Sequence, residues 1–255
     1  MGSDTYLQKH IITYFFLKNY MTTRQKNNEY NNSNKKISAK EIIGKTSRKK
    51  FLSENQKTYY NNLLENEITI CSGPAGVGKS FVAMRAAIDL LMDENNSYEK
   101  LIIVRPAVEA EEKLGSLPGN LEEKLDPYIF PSYYLLNKII GKETREKLKQ
   151  NDIIEVFALA YMRGMNIDNS ILIFEESQNC TPSQMKLLLT RIGFNSKFFI
   201  SGDVEQTDRY KDKTMSGLYD ALNRFKDIDN IGVFEFDNED VIRNPLISKI
   251  LKKYD

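Results

Sequence analysis

Short apolar runs without polar alternation recur along this chain. Ile68-Thr69-Ile70-Cys71, Leu101-Ile102-Ile103-Val104, Ile171-Leu172-Ile173-Phe174, Lys197-Phe198-Phe199-Ile200 and Val233-Phe234-Glu235-Phe236 make up the series. Runs of this length suit strands buried on both faces, which helix-covered parallel sheets produce. Ile153-Ile154-Glu155-Val156 reads as a further strand or a strand-like edge. Stretches of helical length lie between and around these runs. They are 54–65, with Tyr59, Leu63 and Leu64 on the buried side, then Lys79–Met92, 119–150 interrupted by its prolines, 214–225 and a closing helix over 239–254. Alternating strand and helix predicts an α/β fold with right-handed crossovers.

Two helices have legible ends. Thr181 is placed to cap a helix, with Pro182 at its first position, Gln184 completing a capping box and Gly193 at a left-handed C-terminal site. Glu239 and Asp240 at the start of the closing helix, and Lys249, Lys252 and Lys253 at its end, suit the helix dipole.

Residues 19–50 break the pattern. They are rich in Asn, Lys and Ser and carry too little apolar surface to offset the entropy of ordering. The expected division is therefore a basic, largely flexible arm over 1–50 and a folded domain over 51–255. Charge sharpens the division: the whole chain is +1, but residues 1–58 carry +8 and the remainder −7. Such an arm suits an electrostatic partner such as nucleic acid, or serves as a solvated tail.

Composition removes several chemistries. Cys71 and Cys180 have no paired spacing, which argues against a disulfide scaffold or a zinc site and for a reducing compartment. His10 is the one histidine and lies in the arm, so the folded part has no histidine for catalysis. The apolar run over 11–17 is far short of the ~20 residues that span a bilayer. No small-residue cleavage site follows it. A cytoplasmic protein without a membrane segment is expected, and Met21 is a second candidate start.

Gly73-Pro74-Ala75-Gly76-Val77-Gly78-Lys79-Ser80 meets the pattern G-x-x-x-x-G-K-[ST] between a strand and a helix. Its glycines let backbone N–H groups converge on a phosphate, and the next helix adds its positive end. Lys79 then reaches the β- and γ-phosphates of ATP, and Ser80 offers its hydroxyl to Mg2+. Glu175 and Glu176 follow the apolar run over 171–174. By order, Glu175 is the metal carboxylate and Glu176 the base for an attacking water. Ser201-Gly202-Asp203, with Gln206 beyond it, is placed to sense the γ-phosphate.

With those residues on the page, the chain resembles the PhoH family of P-loop ATPases. The likeness is carried by the glycine motif over 73–80, Arg105-Pro106-Ala107-Val108-Glu109-Ala110, Gly115-Ser116-Leu117-Pro118-Gly119-Asn120 through Tyr128, Glu175-Glu176-Ser177-Gln178-Asn179 through Gly202-Asp203 and Gln206, and Asp240-Val241-Ile242-Arg243. It covers about residues 53–254. The resemblance implies a RecA-like core with a mostly parallel five-stranded sheet in the order 5-1-4-3-2 and helices on both faces. It also implies ATPase activity, a link to RNA or single-stranded nucleic acid, and a homo-oligomer, with a hexameric ring among the options. Gln56 resembles the glutamine that reads adenine, and Gln178 the glutamine coupling the carboxylate pair to the γ-phosphate. Arg243 resembles the late arginine that a neighbouring subunit lends to the reaction; Arg191 and Arg163 are weaker candidates for that task. Tyr59 and Tyr60, or Tyr133 and Tyr134, are candidates to stack on bases, with packing as their competing role.

One departure stands out. The family usually has Asp where this chain has Glu175, about 1.5 Å shorter, a C–C bond length. From sequence, Glu175→Asp is expected to keep or raise turnover and Glu176→Gln to trap bound ATP. The competing readings are a non-catalytic nucleotide-binding assembly protein and a small-molecule P-loop kinase.

Overall fold

The computed structural model describes residues 37–46, 51–106, 121–207 and 212–242, without the side chains of 121–127. The arm up to residue 36, the resemblance segments within 107–120 and Arg243 lie outside the described residues. The chain divides into two units, Met1–Ser38 and Ala39–Asp255; the sheet and its helices belong to the second.

In chain order the elements are α1 (Ala39–Ile43), α2 (Glu54–Glu65), β1 (Ile68–Ser72), α3 (Lys79–Met92), β2 (Lys100–Arg105), α4 (Leu121–Ile140), α5 (Lys142–Gln150), β3 (Ile154–Ala158), β4 (Ser170–Phe174), α6 (Pro182–Leu189), β5 (Lys197–Gly202), α7 (Gly217–Arg224) and β6 (Ile231–Glu235). The strands form one sheet in the order β3-β2-β4-β5-β1-β6, and every neighbouring pair is parallel. The sheet has six strands where five are expected. The extra one is the edge strand β3; with it set aside, the order read from β6 is 5-1-4-3-2.

The uninterrupted apolar runs are explained by burial on both sides. Every residue of β1, β4 and β5 is buried. Side chains alternate across a strand, so β4 feeds two cores. Ile171 and Ile173 pack with Tyr59, Leu63, Met84, Ala87, Leu136 and Phe199 on the face covered by α2, α3 and α4. Leu172 and Phe174 pack with Phe198, Ile200, Met185, Leu188 and Leu218 beneath α6 and α7. Each large side chain removed from water in this way contributes about 1.5–3 kcal/mol before entropy is counted.

Several expectations need correction. Ala39 and Ile43 of α1 are buried in the first core, so part of the stretch expected to be flexible belongs to the folded unit. α4 runs through Pro127 and Pro131, and the break falls at Gly141, where φ is +83°. Tyr59 and Leu63 are buried as expected, but Leu64 is only partly so, and Gln56 and Tyr60 join the inner face of α2. The single helix expected over 214–225 is replaced by a 3-10 turn, Lys213–Met215, and then α7, capped by Ser216. The closing helix does not start at Glu239. Asn238–Asp240 form a 3-10 turn capped by Asp237, and Val241 is extended.

The capping box at Thr181 is present: its hydroxyl accepts from Gln184 N at 3.1 Å, and Gln184 Oε1 accepts from Thr181 N at 2.8 Å. Gly193 is glycine for a different reason from the one expected. It is not left-handed. A Cβ there would lie 2.1 Å from Asp168 Oδ1 and 2.6 Å from the Ile167 carbonyl oxygen, so the loop before β4 leaves no room for one.

Candidate functional site at the carboxyl edge of the sheet

All strands run the same way, so the segments leaving β1, β4 and β5 emerge at one edge. β1 and β4 flank β5, which sets their backbones ~10 Å apart at two strand spacings. The three segments are the glycine loop 73–80, residues 175–178 and residues 203–206.

Gly78 ends the glycine loop and caps α3 in the left-handed region, with φ +94°. The left-handed backbone favours glycine, and a Cβ at this position would meet Gln56 Nε2 at 2.6 Å and displace that side chain. No side chain caps α3, and its first turn holds no acidic residue. Its leading N–H groups are therefore not satisfied by a side-chain cap and face a site with positive character. Lys79 Nζ donates to the carbonyl oxygens of Gly73, at 2.5 Å, and Pro74, at 3.0 Å. Val77 is buried, Pro74, Ala75 and Ser80 are half-buried, and Gly76 is exposed at the tip.

Gln56 is buried, and its amide is engaged by the protein. Nε2 donates to the Val77 carbonyl at 2.8 Å and Oε1 accepts from Leu52 N at 2.8 Å. It ties the start of α2 to the glycine loop.

The loop also rests on the segment after β6. Phe236 N donates to Ser72 O at 2.9 Å, Asn55 Nδ2 to Asp240 Oδ1 at 2.7 Å, and Ile242 N to Gly76 O at 3.3 Å.

Beneath the loop lie Tyr59 and Cys71, both fully buried. Burial pushes the Cys71 thiol up to about 12, with the Lys79 charge opposing the rise. Burial likewise raises the Tyr59 phenol, helped by the Cys71 and Glu175 charges. Both stay protonated at neutral pH and are inert as nucleophiles.

The two glutamates sit in opposite environments. Glu175 is 1 % exposed. Its Oε2 accepts from Arg105 Nη2 at 3.1 Å, from Arg105 Nε at 3.4 Å and from the Ser132 hydroxyl. Its Oε1 is buried with no hydrogen-bond partner among the described residues. An unpartnered buried acceptor costs about 1–3 kcal/mol, more when charged, and calls for an explanation. Glu176 is exposed and left-handed, with φ +55°. Such a backbone in a non-glycine residue costs of order 1–3 kcal/mol.

Gln178, 2 % exposed, joins the segments after β4 and β5. Its Nε2 donates to Glu176 Oε2 at 2.8 Å and to the Gln206 carbonyl at 3.2 Å, and its Oε1 accepts from Asp203 N at 3.2 Å. Gln206 is exposed and enters this network through its backbone.

The remaining candidates separate clearly. Arg191 spends its guanidinium on the Leu187 and Met165 carbonyls, both at 3.2 Å, and on the Thr190 hydroxyl, which suits it to holding the end of α6. Arg163 is exposed. Tyr59, Tyr60 and Tyr133 are buried and cannot stack on bases; Tyr134 is 51 % exposed, with Lys138 Nζ 4.5 Å from its ring centre. Sequence reasoning missed Arg105 and Ser132 as partners of Glu175. Arg105 carried a signal as the first residue of a resemblance segment, whereas Ser132 carried none. Cys71 and Cys180 are both buried. No helix among the described residues is long and apolar enough to cross a membrane.

A parallel, helix-covered sheet with a G-x-x-x-x-G-K-S loop between its first strand and the following helix defines a P-loop NTPase fold of the RecA-like kind. Within that class the chain belongs to the PhoH family, whose model, described as PhoH-like protein, matches residues 50–255. It is 44% identical over 216 residues to a PhoH-like protein of Bacillus subtilis (strain 168), covering 85% of this chain and 66% of that one. It is 40% identical over 219 residues to a PhoH-like protein of Synechocystis, again covering 85% and 66%. Protein PhoH of Escherichia coli (strain K12) is 34% identical over 204 residues, covering 79% of this chain and 57% of its own length. The chain thus spans about two thirds or less of these relatives. Among solved structures, the large terminase of a thermophilic bacteriophage aligns at 12% identity with a TM-score of 0.48, over 81% of this chain and 51% of that one. Bacteroides Pif1 bound to ssDNA aligns at 15% identity and a TM-score of 0.35, over 80% and 46%. Neither overlap is close enough to bear on function.

Proposed function

We propose that this chain is a Mg2+-dependent ATPase that couples hydrolysis to RNA or single-stranded nucleic acid. The observation that carries the reading is Gln178. Its amide holds the exposed Glu176 carboxylate while gripping the segment after β5 at Asp203 and Gln206. A change at the reacting carboxylate is thereby transmitted to a second segment, as a nucleotide-driven switch requires.

In this reading the N–H groups of the glycine loop and Lys79 bind the phosphates. Ser80 and the orphan Oε1 of Glu175 fit a hard cation that keeps part of its water shell, and would hold Mg2+. The ion supplies charge neutralisation at the phosphoryl oxygens. Glu176, exposed and oriented by Gln178, takes the proton of the attacking water. Gln56, already bonded to the loop, contributes to the adenine side of the site. Arg243 serves a neighbouring subunit of a homo-oligomer, a hexameric ring among the possible forms. For the nucleic acid, Phe130, Tyr134 and Lys138 recur every four residues on α4 and are exposed. Aromatic rings beside a cation suit unpaired bases.

The test is phosphate release measured against protein concentration, with and without RNA. A rate that rises steeply with concentration and is raised further by RNA, less so in high salt, supports the reading. No release under any of these conditions would sink it. The Arg105–Glu175 pair favours one second reading, a nucleotide-binding assembly protein without turnover, since half-buried Arg105 occupies one of the two oxygens of buried Glu175. ATP binding without phosphate release at any protein concentration distinguishes it.

A further inference from the structure

We propose that Arg105 and Ser132 are positioning residues for Glu175: they fix Oε2 so that Oε1 alone is presented to the magnesium ion. This rests on the Mg-ATP reading of the site.

Three elements meet at this carboxylate. β2 and β4 pair with Val104 opposite Phe174, and Glu175 N donates to Val104 O at 3.1 Å. The last residue of β2, Arg105, is thus set beside Glu175 by strand register. All three of its guanidinium nitrogens are engaged: Nε and Nη2 face Glu175 Oε2, and Nη1 donates to the Tyr128 carbonyl at 2.8 Å. Tyr128 and Ser132 stand one turn apart on α4, and the Ser132 hydroxyl closes on the same Oε2.

The arrangement is one-sided. Three donors converge on one carboxylate oxygen and none of the described residues hydrogen-bonds to the other, which is buried. A glutamate has one more rotatable bond than an aspartate. Left unclamped, its carboxylate would spread over several rotamers. Pinning Oε2 removes that freedom and makes the longer side chain a ligand of fixed reach. Mg2+ demands near-ideal octahedral geometry, so the position of its ligand matters as well as its charge. Lysine cannot replace the arginine, because an ammonium cannot supply the fork that grips Oε2 and Tyr128 together.

The experiment is binding of a fluorescent ATP analogue to the full chain, in EDTA and across a Mg2+ titration, beside the melting temperature of each protein. Wild type is compared with Ser132→Ala and Arg105→Lys. Both variants are expected to need about threefold more Mg2+ or greater for half-maximal tightening, the scale of one lost hydrogen bond. Their EDTA affinities should match wild type. A Ser132→Ala protein with an unchanged Mg2+ midpoint overturns the proposal, whatever its melting temperature, and it decides the matter alone if Arg105→Lys fails to fold. A wild type whose binding ignores Mg2+ sinks the Mg-ATP reading itself.

Discussion

Gln178 holds Glu176 at 2.8 Å from a position that is itself buried, while Glu176 is exposed. A carboxylate at the end of a strained turn is thereby kept in one orientation by a group that solvent does not reach. Glu176→Gln is expected to lower phosphate release by roughly 10²-fold or more, the usual loss for a general base. Retained binding of the fluorescent ATP analogue would show that the ground-state site survives. Gln178→Ala should lower the rate as well and uncouple it from RNA; a normal rate in Glu176→Gln removes the assignment of the base.

Gln56 should matter for stability before it matters for nucleotide. Gln56→Ala strands the buried Val77 carbonyl and leaves Leu52 N without its acceptor. Unfolding by urea should show a loss of about 2 kcal/mol, the scale of unpaired polar groups. An unchanged urea midpoint would mean that the amide is free to serve the nucleotide alone.

Glu175→Asp is expected, on the structure, to reduce turnover. The side chain becomes about 1.5 Å shorter and withdraws from Arg105 and Ser132. Losing hydrogen bonds to a charged group costs about 1.5–3 kcal/mol, or roughly tenfold and upward in rate. Steady-state phosphate release decides between this expectation and the opposite one drawn from sequence.

Cys71 gives a pH signature. Its folded pKa, about 12, is raised above the ordinary thiol value of 9.0, chiefly by burial. The stability contributed by keeping it protonated is full below pH 9 and is lost as pH rises towards 12. Thiol alkylation near pH 8 should therefore be slow in the folded protein and fast in urea. Rapid labelling without urea would contradict the burial.

Much of this is legible in the sequence because it is local. The glycine loop, the runs that become β1, β4 and β5, the Thr181 capping box and the glutamate pair are each written in fewer than ten consecutive residues. What sequence reasoning misses joins distant positions. Arg105, Ser132 and Glu175 meet only through strand pairing and one turn of α4. The faces of Tyr59, Tyr60, Tyr133 and Tyr134 depend on which side of a helix finds the sheet. Gly193 fits a helix-end rule by spacing, yet it answers to the crowding of residues 166–168. α1 looks like tail because five residues carry too weak a pattern to outweigh the polar composition around them.

The phosphate loop is walled partly by residues far from it in sequence. Phe236 joins the backbone at Ser72, Asp240 holds Asn55 at the foot of α2, and Ile242 is bonded to the exposed tip at Gly76. A shortened version ending after β6 would keep all eight motif residues and still lose one side of their support. Truncation boundaries chosen from the motif alone would therefore yield a protein whose glycine loop is unsupported where these residues brace it.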